Sequence, residues 1–357
     1  PTFRDIQKYH VSSNNEIAFW SKLWNVPLEK NISVIQVLFD HPIYSFYQNS
    51  INLNKPSILD HITYTNLNLE KKFKTTVSFI SLDNLIINIG AKKWHDPRMY
   101  NLSKQPFSFE AIPYIAQFFA SQISSKLGLT KKVLVFDLDN TIWGGEIGDL
   151  GCEGISLGKE TSEGESYLNF QNYIKTLKDL GIIIAVCSKN FEKNAKEPFL
   201  KHPDIKIKLN DISCFIANFD NKASNLVKIK NFLNVDFNSI VFIDDSKIEC
   251  EWVKKKLPEV TVINLNGDPA TFINQVDRLG LFVKEKITKE DKNRHKSFIT
   301  NNKINKFKTN VHELERFLKS LNPCIIIEKT FPNYIDRAEE LILKTNQFKM
   351  NLNTFNR

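Results

Sequence analysis

Between residues 133 and 279 short apolar runs of β-forming residues alternate with longer stretches whose apolar residues return at helical spacing. That alternation constrains the fold more than any other feature of the chain. The runs at 133–136, 182–186, 214–217, 240–243 and 260–265 predict strands. Helices are expected between them. Tyr167, Phe170, Ile174, Leu177 and Leu180 share one helical face, with Gly181 as the stop, and further helices are expected over 191–200, 222–233, 246–257 and from Pro269 towards Leu279. Strand and helix alternating at this interval imply an α/β fold, a parallel sheet with helices on both faces. Seven of the 12 glycines fall between Gly144 and Gly164, so the chain there needs unusual backbone freedom, and a glycine-rich hairpin is expected.

The 357 residues suggest two or three domains. Residues 1–127 read as a separate, less regular α/β unit, with strands at 32–39 and 76–80 and a helix over 108–127 that Ser108 can cap. Residues 128–284 form the alternating unit. Residues 285–357 begin with a polar connection and contain an amphipathic helix around 335–343. With 42% hydrophobic and 25% charged residues the chain is neither disordered nor fibrous. No run approaches the ~20 uncharged apolar residues of a membrane span, and PTFRDIQKYH contains no apolar signal core. A cytoplasmic protein is expected. Cys152, Cys187, Cys214, Cys250 and Cys324 stand singly, which argues against a zinc site or a disulfide framework. The net charge of +8 is spread over dispersed lysines, pointing to an ordinary solvated surface, or to an acidic protein partner, before nucleic acid.

In such a sheet ligands bind beyond the carboxyl ends of the strands, and there the sequence places reactive groups. FDLDNT sets Asp137 and Asp139 after the first strand: one carboxylate can act as nucleophile, the other as acid and then base. VCSKN presents Ser188 to a phosphate oxygen, Lys222 opens a helix where it can neutralise phosphoryl charge, and FIDDS adds Asp244 and Asp245. The oxygen-only acidic set suits Mg2+. Asn140, Thr141, Lys189 and Asn190, chain neighbours of these groups, are expected to help bind the substrate.

This ordered set resembles the haloacid dehalogenase superfamily over residues 131–281. The resemblance implies a three-layer Rossmann-like catalytic domain. It further implies Asp137 as nucleophile and metal ligand, Asp139 as acid/base with its backbone carbonyl on the metal, Ser188 and Lys222 on the phosphate, Asp244 as a metal ligand, and Asp245 outside the direct ligand set. The spacings from Asp137 to Ser188 to Lys222 leave no room for a large cap domain, so a partner or the N-terminal unit is expected to complete the site. The wording DLDNTIWGGEIGDLG, GISLG, VCSKN, NFDNKASNL, VFIDDSKIE and KTNQF, together with WHDPRMY at 94–100, is similar to the FkbH-like branch. That resemblance implies an SGNH-hydrolase-like N-terminal domain and an acetyltransferase-like C-terminal region of which only the start is expected here. It also implies conversion of 1,3-bisphosphoglycerate into a glyceryl thioester on an acyl carrier protein, with the enzyme's own thiol as a way-station. Cys187, adjacent to Ser188, is the candidate for that thiol, although a cysteine ending a buried strand is commonly an inert core residue.

One departure bears on specificity. Where the family pattern commonly reads Asn-Pro-x-Glu-Arg, this chain has Ser246-Lys247-Ile248-Glu249-Cys250. Trp143, Gly144 and Gly145 are expected to shape a loop over the site. His95 and Asp96 tempt a Ser-His-Asp esterase reading, but no nucleophile segment precedes them, and a structural or docking role for 94–100 is preferred. The competing functions are a plain magnesium-dependent phosphatase, for example on a sugar phosphate in polysaccharide synthesis, and a docking subunit with a decayed site. The complete carboxylate, Ser188 and Lys222 set argues against decay.

Overall fold

Val133–Phe136 is wholly buried because it lies at the centre of a parallel sheet, with a neighbour on each edge and helices on each face. The computed structural model describes residues 13–40 and 58–284. The chain forms two compact units, Pro1–Lys292 and Asn293–Arg357, and every described residue belongs to the first. The polar connection, the helix expected around 335–343, KTNQF and Cys324 lie outside the described residues.

Seven strands are described: β1 Val34–Val37, β2 Val77–Ile80, β3 Val133–Phe136, β4 Ile183–Ser188, β5 Ile212–Ala217, β6 Ile240–Asp244 and β7 Thr261–Asn264. The last five make one parallel sheet in the order β5-β4-β3-β6-β7, with Val133 opposite both Ile183 and Ile240. The five strands read from the sequence are thus present, within a residue or two at each end. From β3 the chain winds outward through β4 to β5, then returns to β6 on the other side of β3. That reversal opens a crevice at the carboxyl ends of β3 and β6. Right-handed crossovers put the helices before β4 and β5 on one face and those before β6 and β7 on the other.

Local chemistry sets the helix ends. Thr161 accepts a hydrogen bond from Gly164 N and starts Ser162–Asp179, whose buried face is Tyr167, Phe170, Ile174 and Leu177. Asn221 caps Lys222–Leu233 through Ser224 N, and Ser246 caps Lys247–Lys256 through Glu249 N. The helix expected from Pro269 begins as a 3-10 turn, Pro269–Thr271, and continues as Phe272–Asp277.

The glycine-rich stretch is not a simple hairpin. Gly144 pairs with Ser156 in an antiparallel bridge, but the intervening chain folds into the short helix Ile147–Gly154, broken at Gly151, whose φ of 67° only glycine adopts cheaply. At Gly144 a Cβ would lie 2.9 Å from both Ser156 Cβ and Tyr167 Cε2, so close packing requires the glycine there.

Before residue 128, β1 and β2 pair in parallel beside the helices Ser13–Glu29 and Ile58–Phe73, over a core of Ile17, Trp24, Leu69 and Val77. Among the described residues this small sheet has two strands. Ser108 Oγ accepts from Ala111 N, but the turn it caps is the 3-10 segment Phe109–Ala111, and the α-helix proper runs Ile112–Lys126. The expected division at 127/128 falls inside the first compact unit, and across it Gln117 donates to Leu279 O at 2.8 Å. No helix among the described residues is long and apolar enough to cross a membrane.

Candidate active site

Three of the five parallel strands deliver polar side chains to one place. Asp137 follows β3, Ser188 ends β4 and Asp244 ends β6, while Lys222 enters from the first turn of the helix after β5. Lys222 is 2% exposed, and its Nζ lies 2.6 Å from Asp137 Oδ2 and 2.5 Å from Asp244 Oδ2. Burial disfavours the ammonium, but the two carboxylates outweigh it and hold the lysine charged. Asp244 is pushed up to about 7 by burial and then by the charge of Asp137, against the pull of Lys222. Burial and Asp137 likewise raise Asp245.

The carboxylate oxygens of Asp137, Asp244 and Asp245 lie within 4.8 Å of one another. Three carboxylates and one ammonium leave two negative charges, the complement of one divalent cation. Asp137 Oδ1 is buried with no hydrogen-bond partner, an arrangement that is costly unless a further group binds it. All the donors are hard oxygens, so the site fits a magnesium-like ion.

Asp139 sits apart from this cluster and is held on both oxygens. Oδ1 accepts from Trp143 Nε1 at 2.8 Å and from Ile147 N at 3.1 Å; Oδ2 accepts from Asn190 Nδ2 at 2.8 Å. The Asn190 amide also reaches Ser188 Oγ at 3.2 Å, linking the two carboxyl-end loops.

A search of solved structures finds the N-terminal part of BF1531 from Bacteroides fragilis, described as containing a phosphatase domain and solved as a complex with Mg. The match has a TM-score of 0.70 and 33% sequence identity, and covers 77% of this chain and 74% of that one. This chain belongs to the family of that protein. No family model and no curated protein sequence matches it.

Set within this phosphatase-containing family, the residues singled out from sequence fall into three groups. Asp137, Lys222 and Asp244 come together directly, with Ser188 joined to Asp139 through Asn190. A second group supports the loops. Asn140, at φ 52°, accepts from Gly145 N at 2.8 Å and so braces the glycine-rich turn, while Thr141 is fully buried with its Oγ1 unpartnered. Lys189 pairs with Glu249 at 2.5 Å.

The third group stands outside these contacts. Cys187 is wholly buried, its Sγ faces Lys222 O at 3.9 Å, and burial raises its thiol pKa far above the usual range. In register Cys187 follows Val186 as Asp137 follows Phe136 and Asp244 follows Ile243, and Lys222, Asp137 and Asp244 all lie near enough to act on its thiol. Asp96 caps the helix Pro97–Ser103 by accepting from Arg98 N at 2.9 Å, and His95 Nδ1 lies 3.3 Å from Pro106 O. Trp94 is 2% exposed and donates to Asp40 Oδ2 at 3.3 Å. Residues 94–100 are thus built as structure.

Two residues named from the sequence take a more direct part than expected. Asp245, set outside the direct ligand set, joins the carboxylate cluster. Trp143, expected to shape a loop, donates directly to Asp139; its spacing of four residues was the available signal. Cys250, the departure noted from the resembled pattern, is a core cysteine with no exposed surface, its Sγ 3.6 Å from Asp244 O.

Proposed function

We propose that the protein is a magnesium-dependent phosphoryl-transfer enzyme of the haloacid dehalogenase type. The unpartnered, buried Oδ1 of Asp137 at the edge of a carboxylate cluster short of two positive charges is the observation that carries this reading. Asp137 attacks phosphorus, the bond from phosphorus to the leaving oxygen breaks, and an aspartyl phosphate forms. Asp139 gives the leaving oxygen its proton, then takes one from the water that releases phosphate. Ser188 and Lys222 hold the phosphoryl oxygens. Mg2+ held by Asp137, Asp244, Asp245 and the Asp139 carbonyl would neutralise negative charge beside the phosphoryl group. The phosphatase domain and magnesium of the BF1531 structure support this assignment.

The finer reading is FkbH-like. In it, 1,3-bisphosphoglycerate is the substrate, an acyl carrier protein receives the glyceryl group as a thioester, residues 1–127 are an SGNH-like domain, and the setting is cytoplasmic. The motifs from residues 137 to 249 and at 94–100 support it. Cys187 is the candidate thiol in that reading, and its complete burial and raised pKa weigh against it. The plain phosphatase is the alternative, and the BF1531 match supports that coarser reading.

Intact-protein mass after incubation with Mg2+ and enzymatically generated 1,3-bisphosphoglycerate, with and without carrier protein, tests the two. A glyceryl adduct on the carrier that Asp137→Asn abolishes establishes transfer. Phosphate release without any adduct leaves the phosphatase, and no Asp137-dependent phosphate release from acyl phosphates or from phosphate monoesters sinks both.

A further inference from the structure

The surface opens into a groove of about 610 Å3, within the range of small-molecule sites, whose lining includes chain neighbours of the phosphoryl-site residues. Lys189 and Asn221 form one side; Lys247, Ile248, Trp252 and Lys255, one face of the helix Lys247–Lys256, form the other. Lys189 follows Ser188, Asn221 precedes Lys222, and Lys247 lies three residues beyond Asp244.

The groove has an apolar floor and an uneven charge. Ile248 is 80% and Trp252 41% exposed, although the same helix buries Cys250 and Val253 on its other side. Glu249 is taken by Lys189 at 2.5 Å and Glu251 by Lys254 at 2.9 Å. Among the described residues Lys247 and Lys255 have no carboxylate within ion-pair distance, so the groove keeps positive charge at both ends. Eight residues of helix separate them, about 12 Å of rise.

We propose that this groove binds the body of the phosphorylated substrate: an extended, largely apolar chain ending in a second anionic group. The inference rests on the phosphoryl-transfer reading above and adds the substrate class to it. With the phosphoryl group on Asp137, the chain runs over Ile248 and Trp252. A short molecule places its second anion on Lys247, and a longer one on Lys255.

Unreactive phosphonates test the groove without turnover. Calorimetry with Mg2+ compares ω-carboxyalkylphosphonates of two to ten methylenes with alkylphosphonates of equal length. The expected result is tightening with chain length and about five- to tenfold tighter binding with the carboxylate. Lys255→Gln should remove the carboxylate advantage for long chains, Lys247→Gln for short ones, and Trp252→Ala should flatten the length dependence. Equal affinity with and without the carboxylate at every length, or an advantage that survives both lysine substitutions, overturns the proposal. Asp137-dependent phosphate release from acetyl phosphate, measured in parallel, reports on the phosphoryl-transfer reading alone.

Discussion

Asn190→Ala tests whether the groups around Asp139 position it for proton transfer. Asn190 is 8% exposed, and its amide makes one bond to Asp139 at 2.8 Å and one to Ser188 at 3.2 Å. A hydrogen bond to a charged partner contributes about 1.5–3 kcal/mol; if that is expressed fully in the transition state, the rate falls about ten- to 150-fold. The assay is kcat/KM with Mg2+ for aryl phosphates of increasing leaving-group basicity. A good leaving group departs without a proton, so the variant should lose little there and most on phenyl and alkyl phosphates. Trp143→Phe removes a donor from Asp139 without touching Ser188 and should show the same slope. An equal loss across all leaving groups would refute the positioning argument, because a merely structural defect lowers every rate alike.

Lys222→Met should lower Tm markedly in the absence of metal, since removing one partner of a buried ion pair costs about 3–5 kcal/mol; added Mg2+ should restore much of it, and a Tm insensitive to both changes would contradict the charge balance drawn here. The raised pKa of Asp244, about 7, keeps it protonated in the folded protein at lower pH, so its contribution to stability is lost as pH rises from the ordinary carboxylate range to about 7. Metal binding needs the ionised form, so the Tm increment from Mg2+ should grow from pH 6 to pH 8, and equal increments would refute that linkage. Native iodoacetamide treatment at pH 8 should modify the partly exposed Cys152 and spare Cys187, and Cys187→Ala should retain any acyl loading; rapid alkylation of Cys187 would return it to the mechanism.

The sheet was legible because parallel strands buried on both faces must be continuous apolar runs, and 133–136, 182–186 and 240–243 are such runs. Asp137, Ser188, Lys222 and Asp244 were legible for the same reason: each stands where a strand ends or a helix begins, and topology alone brings those ends together. Adjacency could not show that Cys187, one residue before Ser188, is wholly buried beside Lys222, because burial is set by the helices packed on the sheet. The three donors on Asp139, the entry of Asp245 into the carboxylate cluster and the short helix inside the glycine-rich stretch came from contacts across 51 residues or from loop geometry with no period to read. Order along the chain determined which chemical groups reach the crevice; packing among the loops decided which of them touch, because only folded distances set hydrogen bonds and charge balance.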